Sequence, residues 1–505
     1  MPGKTLMIQG TASSVGKSVI VTALCRIFRQ DGLKVAPFKA QNMALNSFVT
    51  REGGEIGRAQ AVQAEAAGVE PSVDMNPVLL KPEAEAKSQV IVLGKVAKNL
   101  KASEYYDYTP YLLTVIEDSL NRLRSTYDIV VIEGAGSPAE VNLKEREIVN
   151  MRVARMTKAP VLLVGDIDRG GVFASIIGTM ELLTEEERDL IAGLIINKFR
   201  GDLALLKPGL DFLEKRSGKP VLGVIPYFRG IKIAQEDSVY LDERPLASAS
   251  RGVDIAIIRL AHVSNYDDFD PLEEMDCTVR YITDPLELGN PDLIILPGTK
   301  STVADLVYLR EQGMAQAIIR QAKAGTPIIG ICGGYQILGK TINDPYKVES
   351  KKNSINGLGL LDIETTFDLV KTTTQVKARV VADRGLFDGL NGIEVTGFEI
   401  HMGQTRSQHH PSAFEILETP QGKVSYFDGA VGDNGLIFGS YLHGLFHNVN
   451  FTQTLLNQLR HLRGLPMAPA ISLNNDRQYD ELAKIVRQNL DMRRIYKIAP
   501  GREYV

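Results

Sequence analysis

The chain has 505 residues, too many for one hydrophobic core, since single cores stop growing beyond about 250–300 residues, so we expect at least two domains. Its composition, 44% hydrophobic and 23% charged, is that of a globular protein, and no apolar run approaches the ~20 residues of a membrane helix. A net charge of −4 excludes the diffuse positive charge of a general nucleic-acid binder. The expected partners are therefore small molecules.

The cysteines and the N-terminal residues favour a reducing compartment. Cys25, Cys277 and Cys332 are too few and too scattered for a disulfide framework or a four-thiolate zinc site. The first residues lack the apolar core and the small-residue cleavage site of a signal peptide. We expect a cytoplasmic protein without a membrane segment.

Two series of short apolar runs alternate with helical stretches. The first comprises residues 6–8, 34–36, 129–132, 160–164, 193–196 and 221–225, and the second comprises residues 254–258, 293–296 and 327–329. Such runs are buried on both faces and indicate parallel sheets flanked by helices, so we predict two successive α/β domains. Their expected bounds are 1–234 and 253–455. A polar linker is expected over 235–252, and a helical tail over 456–505 is expected to pack on a domain or on a partner.

The first apolar run leads into a glycine-rich loop that ends in Gly16-Lys17-Ser18 and precedes a helical pattern. N–H groups of such a loop bind phosphate, with Lys17 on the phosphate charge and Ser18 as a ligand of Mg²⁺. We therefore predict an ATP site; a simple strand-to-helix turn is the alternative. Gly10 and Gly16 enclose five residues, one more than in the standard phosphate loop, whose first glycine is here Thr11. The longer loop resembles that of dethiobiotin synthetase and its relatives, which implies ATP-driven carboxylate activation.

Polar residues follow later strands of the same predicted sheet. Glu133 follows the run 129–132, and an acid at the carboxyl edge of a parallel sheet can bind the Mg²⁺ of a nucleotide, so Glu133 is the second predicted metal ligand. Asp166 and Asp168 follow the next run, where contacts with metal, phosphate or substrate are all open. Asn197 follows another run, and its amide can pair with adenine; a polar turn is the alternative.

Cys332 lies in a Gly-x-Cys-x-Gly motif, Gly330 to Gly334, between an apolar run and a helical pattern. This arrangement is typical of a nucleophile elbow, in which glycines permit a strained turn and nearby N–H groups form an oxyanion hole. The helix N-terminus also lowers the pKa of a thiol at this position. We predict that Cys332 is a catalytic nucleophile, because a merely buried thiol has no need of glycines on both sides.

His443 is the best-placed base for this thiol, because it follows an apolar run and precedes a glycine. We therefore predict a Cys332–His443 pair. His401, in another strand-like segment, is the rival, with substrate binding as its more expected role. The loop 297–301 is predicted either to donate an oxyanion-hole N–H or to be a simple turn.

With Cys332 and His443 identified, the second half resembles the class I, triad-type glutamine amidotransferases. That family commonly has a glutamate two residues after the histidine, where this chain has Leu445, so the third triad member is not predicted. The amidotransferase branch acting on cobyrinic and cobyric acids resembles the chain better, because it joins a dethiobiotin-synthetase-like domain to an amidotransferase domain without that glutamate. The similarity covers about residues 4–455 and includes residues 39–47, 133–140, 166–173, 264–270 and 297–301.

The resemblance implies ATP- and glutamine-dependent amidation of the b, d, e and g carboxylates of adenosylcobyrinic acid a,c-diamide, with ATP, glutamine and the corrinoid as small-molecule partners. Gln41 and Asn42 stand where the related a,c-diamide synthases carry aspartates, which favours this step. Two alternatives stay open. One is a glutamine-dependent ligase for another acid, such as the a,c-diamide step or a cell-wall precursor; the other is a non-enzymatic P-loop partitioning or regulatory protein.

Overall fold

The structure is a computed structural model that describes residues 2–83, 87–228, 230–231, 252–469 and 475–499. Residues 235–251 of the predicted linker lie outside the described residues. The rest form two α/β units, each built on a six-stranded sheet, which confirms the predicted fold class. None of the helices in the described ranges is long and apolar enough to span a membrane.

The first unit contains twelve strands and seven helices among its described residues. In chain order these are β1 (Lys4–Gly10), α1 (Lys17–Gln30), β2 (Val35–Phe38), β3 (Gln41–Met43), β4 (Ser47–Val49), β5 (Glu55–Gly57), α2 (Arg58–Ala67), β6 (Val78–Glu83), β7 (Lys87–Val92), β8 (Lys95–Lys101), α3 (Ala102–Thr126), β9 (Ile129–Glu133), α4 (Met151–Thr157), β10 (Val161–Asp166), α5 (Val172–Leu182), α6 (Glu185–Leu190), β11 (Ile191–Phe199), α7 (Leu203–Ser217) and β12 (Val221–Pro226).

The main sheet of this unit has the strand order β12-β11-β10-β1-β9-β2, and all its pairs are parallel. Leu6 and Ile8 of β1 pack on the α1 side, whereas Met7 packs in the core on the opposite face. The three central positions of the strand, Leu6 to Ile8, are therefore all apolar, as expected for a strand covered on both sides. Because the strands run the same way, their carboxyl ends gather the phosphate loop, Glu133 and Asn197 at one edge. A smaller sheet, β3-β6-β7-β8, and the β4–β5 hairpin were not predicted.

The second unit begins with a second parallel sheet of order β14-β13-β15-β16-β24-β23, in which only β23 is antiparallel. Beside it lies a largely antiparallel sheet, β18-β17-β19-β21-β22, with β20 paired to β19. The elements are β13 (Val253–Ile258), β14 (Cys277–Ile282), β15 (Leu293–Leu296), α8 (Thr302–Glu311), α9 (Met314–Lys323), β16 (Ile328–Ile331), α10 (Gly333–Leu338), β17 (Thr341–Asn343), β18 (Ser354–Asn356), β19 (Ile363–Val380), β20 (Glu394–Ser407), β21 (Phe414–Thr419), β22 (Gly422–Asp428), β23 (Ala430–Val431), β24 (Ile437–Ser440) and α11 (Val449–Leu462).

The last helices, α12 (Asn475–Asn489) and α13 (Met492–Ile498), return to the first unit. Arg26 of α1 bonds Asp476 (2.8 Å) and Asp480 (2.7 Å) of α12, and Gly223 of β12 forms a β-bridge with Leu490. Residues 475–499 of the predicted tail thus pack on the first unit, whereas residues 456–462 belong to a helix in the core of the second unit. The predicted end of the second domain, residue 455, lies inside α11. That boundary stays a proposal.

Candidate functional site

The predicted phosphate loop lies at the carboxyl edge of the first sheet, between β1 and α1. Gly16 has a φ of 99°, a left-handed conformation that favours glycine, and a Cβ there would lie 2.2 Å from Asn197 Nδ2. Lys17 Nζ donates to the carbonyls of Ala12 (3.0 Å) and Gly136 (3.1 Å), so its ammonium group lies against the loop. Backbone and cation together give the loop the character of an anion site.

The two predicted metal ligands are in direct contact, because Ser18 Oγ donates to Glu133 Oε1 at 2.9 Å. Glu133 is 1% exposed and also accepts from Lys39 Nζ (3.0 Å) and Gln63 Nε2 (2.5 Å). Burial favours the neutral acid, but Lys39, Gln63 and Ser18 outweigh it and keep the pKa of Glu133 below its ordinary value. A hydroxyl and a carboxylate fit Mg²⁺, which usually takes one or two protein carboxylates together with phosphates and water.

The other residues predicted near the nucleotide surround the same loop. The Thr11 N–H donates to a carbonyl of β10 (2.9 Å), which fixes the start of the loop. Asn197 Nδ2 donates to the Val15 carbonyl (2.8 Å), so its amide supports the loop, and its contact with adenine stays a prediction. Asp166 Oδ2 accepts from Lys198 Nζ at 2.8 Å, which places a second cation beside the loop.

Cys332 lies at the turn between β16 and α10, as expected for a nucleophile elbow. The strain is on the cysteine itself, with φ 51° and ψ −107°, torsion angles that are rare for a residue with a side chain. A Cβ on Gly334 would lie 2.0 Å from the Leu296 carbonyl oxygen, and one on Gly330 would lie 2.8 Å from that of Gly334. Gly334 therefore allows close approach of the turn to β15, and Gly330 allows close approach of β16 to α10; neither adopts the strained torsion.

His443 is oriented by an aspartate that the sequence analysis did not single out. His443 Nδ1 and Asp268 Oδ2 are 2.7 Å apart, and Asp268 Oδ1 accepts from the Gly444 N–H at 2.7 Å. Nε2 is left for the thiol and has no hydrogen-bond partner among the described residues. Burial disfavours the imidazolium, but Asp268 and the neighbouring Cys332 raise the pKa of His443 to about 10. These contacts therefore favour the imidazolium form of His443.

Two other positions were considered for the base and for the third triad member, namely His401 and Leu445. His401 Nδ1 lies 2.7 Å from the Gly403 carbonyl, and its ring stacks on Tyr441 with centroids 3.8 Å apart. Burial lowers the pKa of His401 to about 4, so this ring is neutral at neutral pH. Leu445, where the wider family has glutamate, is 1% exposed and belongs to the apolar core.

The loop 297–301 packs against the Cys332 turn. A Cβ on Gly333 would lie 3.1 Å from Thr299 N, and one on Gly298 would lie 2.9 Å from His443 Cε1. Gly333 is the first residue of α10, where N–H groups have no partner within the helix. The amides of Thr299 and Gly333 are therefore the candidates for an oxyanion hole.

A pocket at the junction of the two units contains the thiol. Glu55 of the first unit is 1% exposed and pairs with Lys81 and with Lys371 of β19, the latter at 2.5 Å. Burial raises the pKa of Glu349, on the pocket wall, to about 7. Charges of both signs suit a zwitterionic amino acid such as glutamine. The polar lining comprises Lys81, Ser264, Asn265, Thr299, Lys300, Thr302, Cys332, Gln336, Glu349, Lys371, His401 and His443.

Asp268 had no local signal that would have identified it. It lies in an acidic run with Asp267 and Asp270, and 175 residues separate it from His443. Only the 3₁₀ turn Tyr266–Glu274, which begins just before it, brings its carboxylate to the histidine.

Comparison with protein families agrees with this architecture. A model of the CobQ/CobB/MinD/ParA nucleotide binding domain matches residues 6–239, and a model of the CobB/CobQ-like glutamine amidotransferase domain matches residues 254–451. By fold and site the chain is thus an ATP-dependent amide ligase that takes its nitrogen from glutamine.

Curated relatives define the family within this class. The chain is 59% identical over 495 residues to cobyric acid synthase of Dehalococcoides mccartyi (strain CBDB1), covering 98% of each chain. It is 54% identical over 508 residues to that of Sorangium cellulosum (strain So ce56), covering 97% of this chain and 98% of the relative. A third relative, from Caldanaerobacter subterraneus subsp. tengcongensis, is 53% identical over 500 residues, 98% of each chain. The chain belongs to the cobyric acid synthase family, which acts in cobalamin biosynthesis.

Proposed function

We propose that this enzyme uses ATP and glutamine to amidate the b, d, e and g carboxylates of adenosylcobyrinic acid a,c-diamide, giving adenosylcobyric acid. The observation that carries the proposal is the 59% identity, over nearly the whole length, to a protein named cobyric acid synthase. In this proposal residues 1–234 activate the carboxylate and residues 253–455 release ammonia. Residues 235–252 join the two domains, and residues 456–505 form the helical tail.

The phosphate loop activates the carboxylate. Gly16, Lys17 and Ser18 bind the phosphates of ATP. Ser18 and Glu133 would hold Mg²⁺, which would neutralise charge on the transferred phosphoryl group. A carboxylate oxygen of the substrate attacks the terminal phosphorus, ADP leaves, and an acyl phosphate results. Ammonia attacks the acyl carbon, loses a proton and displaces phosphate, so an amide replaces the carboxylate. The contacts of Ser18 and Lys39 with the Glu133 carboxylate support this assignment.

The Cys332 site releases the ammonia. The thiolate attacks the side-chain carbonyl carbon of glutamine, and the amides of Thr299 and Gly333 stabilise the oxyanion. His443 Nε2 carries the thiol proton and gives it to the leaving nitrogen, so ammonia departs and a glutamyl thioester remains. Water then attacks the thioester while His443 takes its proton, and glutamate leaves as the thiol is restored. The Asp268 contact with Nδ1 supports His443 as the base.

Mass spectrometry of adenosylcobyrinic acid a,c-diamide incubated with the enzyme, ATP, Mg²⁺ and glutamine tests this function. We expect the mass shift of carboxylate-to-amide conversion at each of the b, d, e and g positions. A substrate of unchanged mass, beside steady glutamate release, would keep the chemistry but reject this acid as the acceptor. Conversion of cobyrinic acid at its a and c positions instead would identify the earlier amidation.

A further inference from the structure

The loop that carries Asp268 is bonded to the first unit. The Tyr266 N–H donates to Asn46 Oδ1, and the Ser47 N–H donates to Asn265 Oδ1, each at 3.0 Å. Asn46 is fully buried and Asn265 is 1% exposed. Because unpaired polar groups are costly in such surroundings, these bonds fix the backbone directly before Asp268 from across the junction.

Arg58, the first residue of α2, reaches the same loop. Its Nε lies 2.9 Å from Asp267 Oδ2, and the two side chains are 11% and 7% exposed. Arg58 also lies 3.6 Å from Glu65 and interacts with Asp270 and Tyr479. Asp267 is surrounded by Asp268, His443 and His447, whose Nε2 lies 3.1 Å from the Asp267 carbonyl. Burial and the neighbouring Asp268 already raise the pKa of Asp267, so removing the guanidinium would leave this carboxyl buried without its partner and would displace the loop.

The same helix also contacts the nucleotide site. Gln63 Nε2 donates to Glu133 Oε2, five residues along α2 from Arg58, which is about 7.5 Å along the helix axis. Nine of the ten residues of α2 are buried, and Glu65 is the one that is partly exposed. A helix packed in this way moves as a rigid body, so a shift at Gln63 reaches Arg58.

We propose that α2 links the nucleotide site to the glutaminase triad, with Arg58 as the positioning residue for Asp268. The link rests on the proposed function, since it takes Glu133 as a ligand of Mg²⁺. Ser18, Lys39 and Gln63 now share the Glu133 carboxylate. Mg²⁺ held there would compete for the same oxygens, so we expect the Gln63 bond to differ between the free and the nucleotide-bound enzyme. A ligand can shift a helix only if the helix makes different contacts in the free and the bound state, and the Gln63 bond would be such a contact. The coupling is reciprocal, so binding at either site affects binding at the other.

The first test breaks the link at Arg58 in the full-length enzyme, with glutamate release as the readout. For Arg58→Met we expect kcat to fall on the order of a hundredfold, as for a misplaced catalytic group, with little change in the KM for glutamine. Displacing Asp268 lowers the pKa of His443, so the alkaline limb of the pH profile moves to lower pH. Arg58→Lys should restore part of kcat and move the alkaline limb part of the way back. The matched control, Arg122→Met, removes an Arg–Asp pair on the surface of the first unit, where Arg122 is 51% exposed.

A purely structural role for Arg58 predicts a different outcome. It would lower the fraction of folded enzyme, measured by thermal unfolding, but leave the pH profile of the folded fraction in place. An unmoved alkaline limb in Arg58→Met therefore overturns the role of Arg58 as a positioning residue.

The second test breaks the link at its nucleotide end. Glutamate release by the wild type should differ by at least about fivefold with and without ATP and Mg²⁺, and in Gln63→Leu this ratio should approach unity. A wild type that ignores ATP, or a Gln63→Leu variant with the wild-type ratio, overturns the link. Product mass measured on the same wild-type sample judges the proposed function separately, because amidation without this coupling rejects the link alone.

Discussion

Three side chains from distant parts of the chain meet at the glutaminase site. Cys332 has the strained backbone, His443 is held through Nδ1, and Asp268 accepts from both the ring and the Gly444 amide. Because the carboxylate fixes the tautomer, Nε2 is left for the proton transfers that we propose.

The Cys332→Ala variant should separate the two half-reactions. It removes the nucleophile but leaves the phosphate loop intact, so glutamine-dependent amidation should disappear while amidation with ammonium chloride at raised pH persists. Mass spectrometry of the product with each nitrogen source checks this. Loss of both activities in a folded variant would contradict two separate sites.

The Asp268→Asn variant should impair the glutaminase while preserving the shape of the site. We expect kcat for glutamate release to fall by up to about 10⁴-fold, since an amide misorients the histidine tautomer. The carboxylate raises the pKa of His443, which is about 10, so its loss lowers that pKa and moves the alkaline limb of the pH profile downward. A pH profile like that of the wild type would show that Asp268 does not govern His443.

The Glu133→Gln variant should have the converse effect of Cys332→Ala. Without the carboxylate charge, Mg²⁺ binds poorly, so amidation should fall with both glutamine and ammonium chloride while glutamate release continues. Assays of ADP and glutamate on the same sample compare the two halves. Normal ADP formation in Glu133→Gln would remove this residue from the metal site.

Local pattern predicted part of this site. Cys332 was predictable because its glycines are its neighbours in sequence, and His443 because it ends an apolar run. Asp268 was not, because only the folded loop distinguishes it from the adjacent Asp267. The flanking glycines predicted a strained turn, and the positive φ, 51°, lies on Cys332 itself.

At the scale of elements, the parallel strands were predictable and the antiparallel ones were not. Strands of the parallel sheets are buried on both faces and appear as unbroken apolar runs, such as the fully buried β9. In β19, by contrast, buried and exposed residues alternate at both ends and the middle is half exposed, so no apolar run marks its 18 residues. The sheet that carries His401 and Lys371 therefore appeared only in the structure.

The turn at Cys332 should not tolerate a methyl group at Gly334. In Gly334→Ala the new Cβ would lie 2.0 Å from the Leu296 carbonyl oxygen, so the backbone must shift, at a cost of about 1–3 kcal/mol in the free energy of unfolding. Glutamate release should fall with it. Gly178→Ala in α5 is the control, because a Cβ there meets no atom within 4 Å and alanine favours a helix. Urea unfolding measures the free energy of unfolding of both variants. Equal values would contradict the close approach of Gly334 to the Leu296 carbonyl.

At the scale of the whole molecule, Glu55 lies between two lysines from different units. Burial disfavours its charge, but Lys371 and Lys81 outweigh it and keep the pKa of Glu55 well below the ordinary value. Since the folded pKa is the lower one, this stabilisation is complete above the ordinary glutamate pKa and is lost as the pH falls toward the folded value.

The Glu55→Gln variant should weaken the junction of the two units. It leaves two buried lysines without their anion, and we expect the free energy of unfolding to fall by roughly 3–5 kcal/mol at neutral pH. Urea unfolding measures the change. Glu394→Gln is the control, because it removes an exposed partner of Lys377 and should change stability much less. Equal losses of unfolding free energy in the two variants would show that Glu55 does not stabilise the junction of the two units.

The return of α12 and α13 to the first unit has a consequence for synthesis on the ribosome. Leu482, Val486 and Ile495 share a core with the buried face of α1, and the rings of Phe28 and Tyr496 pack with centroids 5.4 Å apart. The strands of the first sheet emerge before α12 and α13, so α1 stays uncovered until these two later helices have been translated. A nascent chain can therefore carry both catalytic motifs and still display an apolar surface that chaperones bind, so the second unit has time to fold before the first is complete.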